Sequence, residues 1–335
     1  MCNLGKRCVL LIMAVLLLIG LTACEKVDKT PTLTLEGPEV MEITLGDGYP
    51  EHGFSATDYQ GNDISNMVEL DMPDLDLVGD QIVKYSVTCD GITVTETKIL
   101  KIKHKVPDLE DWTYYNHGVP ILMYHYVYDP DNPPENLHAN YISTDDLESH
   151  LQFLVEEDYY FPTWREIRDF VDCKIDLPEK SVVLCFDDGS KNFIELGIPL
   201  LEKYGVRATS FVIASKNGEE MAAMDLKHVQ LQSHSYDMHR GGGYIGHGGI
   251  FTALGYEEAL ADLKTSIEIL GNGDAFAYPY GDYTDYCMQT VEDAGFLCAV
   301  TTEYGRVYPG DNPYALSRVR IALGNGLEIF QSLVQ

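Results

Sequence analysis

Ser181-Val182-Val183-Leu184-Cys185-Phe186-Asp187-Asp188-Gly189 is the stretch on which the fold turns. Its first six residues carry no charge and show no alternation of apolar and polar side chains. Such a run predicts a strand buried on both faces, as in a parallel sheet surrounded by helices. Two carboxylates and a glycine then end it. Alone, Asp-Asp-Gly is ordinary turn chemistry, with Asp tolerating tight backbone and Gly supplying positive φ. In parallel α/β folds, however, ligands gather at the carboxyl ends of the strands, where this pair sits.

About fifty residues on stand His234 and His239, within Leu231-Gln232-Ser233-His234-Ser235-Tyr236-Asp237-Met238-His239. Five residues turn a helix by about 140°, and on a strand an odd separation points side chains to opposite faces. Both imidazoles can face one ion only if the first ends a strand and the second lies on the loop beyond. That too describes a strand-end site.

The pattern around these motifs divides the chain. Between Thr30 and Lys105, short alternating runs (Thr32 to Leu35, Met41 to Leu45, Ile82 to Thr88, Ile92 to Ile102) are separated by turn signals, of which Asp90-Gly91 is the strongest for a hairpin. This predicts a small all-β sandwich of immunoglobulin type over 31–105. A polar linker covers 106–119. From Pro120 onward strands alternate with helical patterns, the mark of an α/β fold. Ser143 or Thr144 caps a helix carrying Leu147, Leu151 and Leu154, and Thr163-Trp164-Arg165-Glu166 is a capping box.

At 335 residues the chain can hold two domains, and its composition is globular. The formal charge of −30, from 53 acidic and 23 basic residues, argues against nucleic-acid binding and against a polybasic membrane contact. It fits a solvated acidic surface. Lys6 and Arg7, then the apolar stretch Cys8 to Leu21, read as an export signal over 1–23. Leu21-Thr22-Ala23-Cys24 resembles the lipobox of bacterial lipoproteins, which implies Cys24 as a lipid anchor, a short tether over 24–30 and an extracytoplasmic, membrane-attached protein. Of the remaining cysteines only Cys287 and Cys298 are considered as a disulfide.

One carboxylate and two imidazoles leave a coordination position open, as in catalytic zinc sites. The spare carboxylate is then free for acid/base work, and the implied reaction is metal-assisted hydrolysis. The same donors also describe the facial triad of non-haem iron oxygenases, and spacing does not separate the two.

Three elements together, Phe186-Asp187-Asp188-Gly189, Ser233 to His239 and Phe276-Ala277-Tyr278-Pro279-Tyr280-Gly281, resemble the polysaccharide deacetylases with NodB homology, the fourth family of carbohydrate esterases. The likeness runs from Pro120 to the C-terminus. The five-residue histidine spacing and Met123-Tyr124-His125 look like the branch acting on poly-N-acetylglucosamine. The resemblance implies a distorted, incomplete (β/α) barrel over 120–335 and a zinc ion, or another divalent transition metal. It makes Asp187 the general base, Asp188, His234 and His239 the metal ligands, Tyr280 a backbone oxyanion donor and His125 the general acid. The implied reaction is N-deacetylation of a polysaccharide containing N-acetylglucosamine, by a monomer. Peptidoglycan and chitin-like polymers stay open as substrates, and so do O-acetyl ester hydrolysis and an inactive polysaccharide-binding protein.

The chain also departs from the family. Ala277 stands where many members have an arginine, so Arg318 and Arg320 are the candidates to orient Asp187. Gly324-Asn325-Gly326 replaces a leucine-histidine motif, which favours His125 as the acid. The glycine-rich loop Gly241 to Gly249, with His247, looks peculiar to this chain.

Overall fold

The computed structural model describes residues 28–105 and 118–335. The export signal, Cys24, most of the tether and most of the linker lie outside the described residues. Among the described residues no helix is long and apolar enough to cross a membrane. Two compact units are present: one built from residues up to Lys101 without 43–48 and 75–79, the other from those two segments and Ile102–Gln335.

The segment 32–103, most of it in the first unit, is β-structure. Strands β1 (Thr32–Leu35) and β3 (Phe54–Thr57) pair with each other, while β2 (Val40–Thr44), β4 (Val68–Asp71), β5 (Gly79–Cys89) and β6 (Ile92–Lys103) form a sheet in the order β2-β6-β5-β4. Asp90 and Gly91, both at positive φ (51° and 79°), make the tight turn between β5 and β6 that their sequence predicts. Alternate residues Val83, Tyr85 and Val87 are buried, the period-2 pattern of a strand with one covered face.

The second unit is α/β, as its alternation predicts. Its strands are β7 (Ile121–Tyr124), β8 (Tyr126–Tyr128), β9 (Tyr141–Ser143), β10 (Val183–Asp188), β11 (Ala208–Val212), β12 (Val229–Ser233), β13 (Ala275–Ala277), β14 (Cys298–Tyr304) and β15 (Leu316–Arg320). Its helices are α1 (Thr144–Glu156), α2 (Trp164–Val171), α3 (Ile198–Tyr204), α4 (Glu219–Ala222), α5 (Tyr256–Leu270), α6 (Asp285–Ala294) and α7 (Leu327–Val334). Seven strands close into a parallel ring in the order β7-β10-β11-β12-β13-β14-β15. The ring is thinnest between β12 and β13, which meet at the single pair Ser233 and Phe276. Strands β8 and β9 form a separate two-stranded sheet.

The unalternating run in β10 now has its reason. Val183 and Cys185 pack with Ile121, Phe211, Ala277 and Val300 from other strands of the ring, whereas Leu184 and Phe186 pack with Leu147, Leu151 and Leu201 of α1 and α3. Both faces are covered, so both must be apolar. Helix starts follow local chemistry: Ser143 Oγ accepts from Asp146 N at 3.0 Å, and Thr163 and Glu166 complete the capping box of α2. Cys287 and Cys298 are both buried free thiols, which corrects the disulfide expectation. Cys287 instead pairs with Thr284 at the start of α6, and Cys298 Sγ faces the Trp164 carbonyl at 3.8 Å.

Candidate active site

Five strands of the ring deliver chemistry where they end. Asp187 and Asp188 close β10, His125 follows β7, His234 follows β12, Tyr278 to Tyr280 follow β13 and Arg320 closes β15. They line a cavity of about 500 Å³ together with Met123, Tyr126, Asn140, His247 and Thr302. The three non-glycine residues that hold positive φ here, Asp188 (76°), Ser235 (76°) and Tyr280 (62°), sit at the turns out of β10, β12 and β13. Strain of this kind persists where the surroundings over-determine the backbone, and it clusters at functional sites. Gly281 is required beside Tyr280, since a Cβ there would lie 2.1 Å from Thr302 Oγ1.

The two adjacent carboxylates meet opposite environments. Asp187 is buried and accepts two parallel bonds from Arg318, at 2.8 Å to each oxygen. This is the bidentate geometry that a planar guanidinium supplies and an ammonium does not. Arg318 is itself fully buried, donates through Nε to the Thr301 carbonyl at 2.7 Å and lies over the Phe211 ring. Burial pushes the Asp187 carboxyl up, but the Arg318 guanidinium more than offsets it and holds the group well below the usual carboxylate range. Asp187 is therefore an ionised acceptor at any ordinary pH. Arg320 does not reach it and instead donates to Asn140 Oδ1 at the cavity mouth.

His125 stands on the open side of Asp187, with Nε2 4.0 Å from Asp187 Oδ2. Burial lowers its pKa below 6.5, with the two aspartates opposing, so the resting ring is neutral near pH 7. Its Nδ1 is buried and without a hydrogen-bond partner.

Asp188 faces the other way. Its Oδ1 lies 3.6 Å from His234 Nε2 and 3.4 Å from His239 Nε2, and the three donor atoms fall within 4.8 Å of one another. His234 Nδ1 donates to the Ala277 carbonyl at 2.7 Å. A carbonyl can only accept, so the proton is on Nδ1 and the Nε2 lone pair is turned toward Asp188. The backbone N–H groups of Tyr236 and Asp237 donate to the two carboxylate oxygens of Asp262, each at 2.8 Å, which pins the loop carrying His239. His239 stacks on Tyr280 with ring centroids 4.6 Å apart. The two separations between the carboxylate oxygen and the imidazole nitrogens, 3.4 and 3.6 Å, suit ligands about 2.0–2.1 Å from one ion at near-tetrahedral angles. The residues fit a divalent metal.

All the strand-end residues singled out in the sequence thus meet in one cavity, with Arg318 beneath it and Cys24 outside the described residues. His247 reaches the lining but is mostly exposed, its loop held by Asp282 through the backbone N–H of His247 and of Gly249. Sequence reasoning missed Tyr126, Asn140 and Thr302. Tyr126 directly follows the Met123-Tyr124-His125 segment, which was its only signal.

The second unit carries a polysaccharide deacetylase domain of the NodB type: residues 174–299 match the family model described as polysaccharide deacetylase. The Bacillus subtilis protein YxkH, whose name assigns it to the polysaccharide deacetylases, is 26% identical over 251 residues, spanning 72% of this chain and 85% of that protein. A poly-beta-1,6-N-acetyl-D-glucosamine N-deacetylase of Staphylococcus aureus is 28% identical over 201 residues, 54% of this chain and 68% of that one. Among solved structures, the Streptococcus pyogenes deacetylase PplD in complex with acetate superposes with a TM-score of 0.55 at 25% identity, over 65% of this chain and 98% of that one.

Proposed function

We propose that the protein removes N-acetyl groups from N-acetylglucosamine units of an extracellular or cell-wall polysaccharide, poly-N-acetylglucosamine or peptidoglycan, releasing acetate. The observation that carries this reading is one cavity holding two differently prepared carboxylates: Asp187 locked by Arg318, and Asp188 gathered with His234 and His239. The relatives whose names specify N-deacetylation of poly-N-acetylglucosamine support the substrate class.

Asp188, His234 and His239 would hold a divalent metal, zinc by preference for two imidazoles and one carboxylate. Such an ion would polarise the amide carbonyl and acidify water. Asp187, ionised and immobile, takes the proton of the attacking water. Its Oδ2 is 4.0 Å from His125 Nε2, a short path for that proton. Because burial keeps His125 neutral at rest, the proton released in the first step is the one the imidazole gives to the leaving nitrogen. Tyr280, whose positive φ turns its peptide at the cavity wall, offers its backbone N–H to the oxygen on which charge develops.

Cys24 as a lipid anchor, an extracytoplasmic location and an Ig-like spacer made by the first unit complete the proposal. They rest on the lipobox-like tetrapeptide and the strand pattern.

Acetate release from N-acetylglucosamine oligomers by the full chain, metal-stripped and then supplied with zinc, tests the reading beside Asp188→Ala. Zinc-dependent acetate that vanishes in the variant is the expected result. Release from O-acetylated xylan alone would reassign the enzyme to esters, and binding of the oligomers without release from either substrate would make it a binding protein.

A further inference from the structure

We infer that Tyr126 is a positioning residue that fixes Asp188 so that only one of its oxygens is offered to the metal; the inference rests on the metal reading above. The two oxygens of Asp188 have different neighbours. Oδ1 faces the Nε2 atoms of His234 and His239, at 3.6 and 3.4 Å. Oδ2 accepts the Tyr126 hydroxyl at 2.7 Å. A carboxylate with one oxygen committed to a short bond cannot swing to present both oxygens to an ion. It binds through one, and the position that a second oxygen would take stays open for water or the substrate carbonyl.

The hydroxyl is itself held in place. Tyr126 opens β8, which pairs in parallel with β9 in the register Tyr126 to Tyr141. Its ring lies 5.1 Å from that of Tyr141 and edge-on to His138 at 5.8 Å, and His138 packs on Tyr141 at 4.8 Å. The small sheet outside the barrel ring therefore carries an aromatic cluster that aims one hydroxyl at one carboxylate oxygen. Partners that orient metal ligands in this way affect metal affinity by about 10- to 100-fold when removed.

Tyr126→Phe keeps the ring and its packing and deletes only the hydroxyl. In the full chain, zinc affinity measured by competition with a chromogenic chelator should weaken by about 10- to 100-fold, with the thermal midpoint of the metal-free protein unchanged. His138→Ala loosens the ring while leaving the hydroxyl, and should weaken zinc less than Tyr126→Phe does. Zinc affinity of Tyr126→Phe equal to that of wild type would overturn the inference alone. A loss in His138→Ala as large as in Tyr126→Phe would assign the effect to packing and overturn it too. A wild type that binds no zinc and is indistinguishable from Asp188→Ala would remove the metal reading itself, and this inference with it.

Discussion

The two halves of the cavity solve the same electrostatic problem differently. Asp187 is compensated from within: a buried guanidinium supplies two hydrogen bonds and a full positive charge. Asp188 has no such guanidinium among the described residues, and its neighbours are a tyrosine hydroxyl and two imidazoles. One half is complete as folded, whereas the other gathers three side chains that could hold a metal ion. Adjacent residues on one strand can diverge this way because β10 sends successive side chains to opposite sides, Asp187 toward Arg318 and Asp188 toward β8 and the histidine loop.

The sharpest way to break the comparison is to disable each half separately. Asp187→Asn should lower turnover by about 10²- to 10⁴-fold, the usual range for a general base, while zinc content stays stoichiometric. His234→Ala should lose both zinc and activity. Near-normal turnover in Asp187→Asn would reject its role as base. Arg318→Met comes next. It leaves Asp187 buried and uncompensated, and urea unfolding should show a loss of about 3–5 kcal/mol. Arg318→Lys restores charge without the planar fork and should recover only part of it.

Much of this contrast was legible in the sequence, and the reasons for the remainder are physical. The Asp-Asp pair and the five-residue histidine spacing could be read because strand-end chemistry is local: an apolar run, then ligands. The arginine that reaches Asp187 could not be chosen from Arg318 and Arg320, because residues two apart share one face of a strand and the alternation does not say which of them lies level with Asp187. Tyr126 left no trace beyond its position, since a tyrosine on a short strand reads as packing. Its partner strand β9 begins only after a loop, and the parallel pairing of β8 with β9 is not encoded in any turn between them. Short elements such as β3 and β4 are likewise hard to read, being four residues each, too few for alternation to stand out.

Acid titration sharpens the comparison by separating groups satisfied as anions from groups satisfied as neutral species. The compensated half extends outward from Asp187: Phe186 stacks on Tyr124 at 4.8 Å, and Tyr124 meets His150. His150 Nε2 donates to the Asn325 carbonyl at 2.8 Å, its Nδ1 faces the Tyr124 hydroxyl at 3.2 Å, and its ring stacks on Phe330 of α7 at 3.9 Å. Burial lowers its pKa from 6.5 to about 4. Between those values the unfolded chain takes up a proton that the fold refuses, so stability is full above 6.5 and falls as pH drops toward 4, by about 3 kcal/mol at most. Asp187, held below its ordinary 3.8, contributes stability that is present above that value and is lost only as pH falls further, through its folded pKa. Unfolding measured across pH should therefore show a decline between 6.5 and 4, to which the lowered pKa values of His125 and His239 also contribute and which His150→Gln reduces by its own share, whereas Arg318→Met should remove the part below 3.8 and, because burial then raises the Asp187 carboxyl, add a loss of stability as pH rises above 3.8. A His150→Gln protein with the wild-type slope between 4 and 6.5 would exclude His150 as a contributor to it.

Metal addition acts on the other half. An ion that binds the folded site and not the unfolded chain stabilises by an amount set by its concentration over its dissociation constant, about 2.7 kcal/mol at a hundredfold excess. The metal-free protein should therefore gain thermal stability as zinc is added, continuing to rise with concentration rather than saturating at stoichiometry. Asp188→Ala should show no gain, because two imidazoles without the carboxylate give too few donors of opposite charge. Asp187→Asn should show the wild-type gain superimposed on its lower starting stability, since the Arg318 pair does not touch the three donors. If Asp187→Asn instead abolished the zinc-induced shift, the two carboxylates would be sharing one ion, and the division between a half completed by the protein and a half completed by a metal would have to be redrawn around a single four-residue centre.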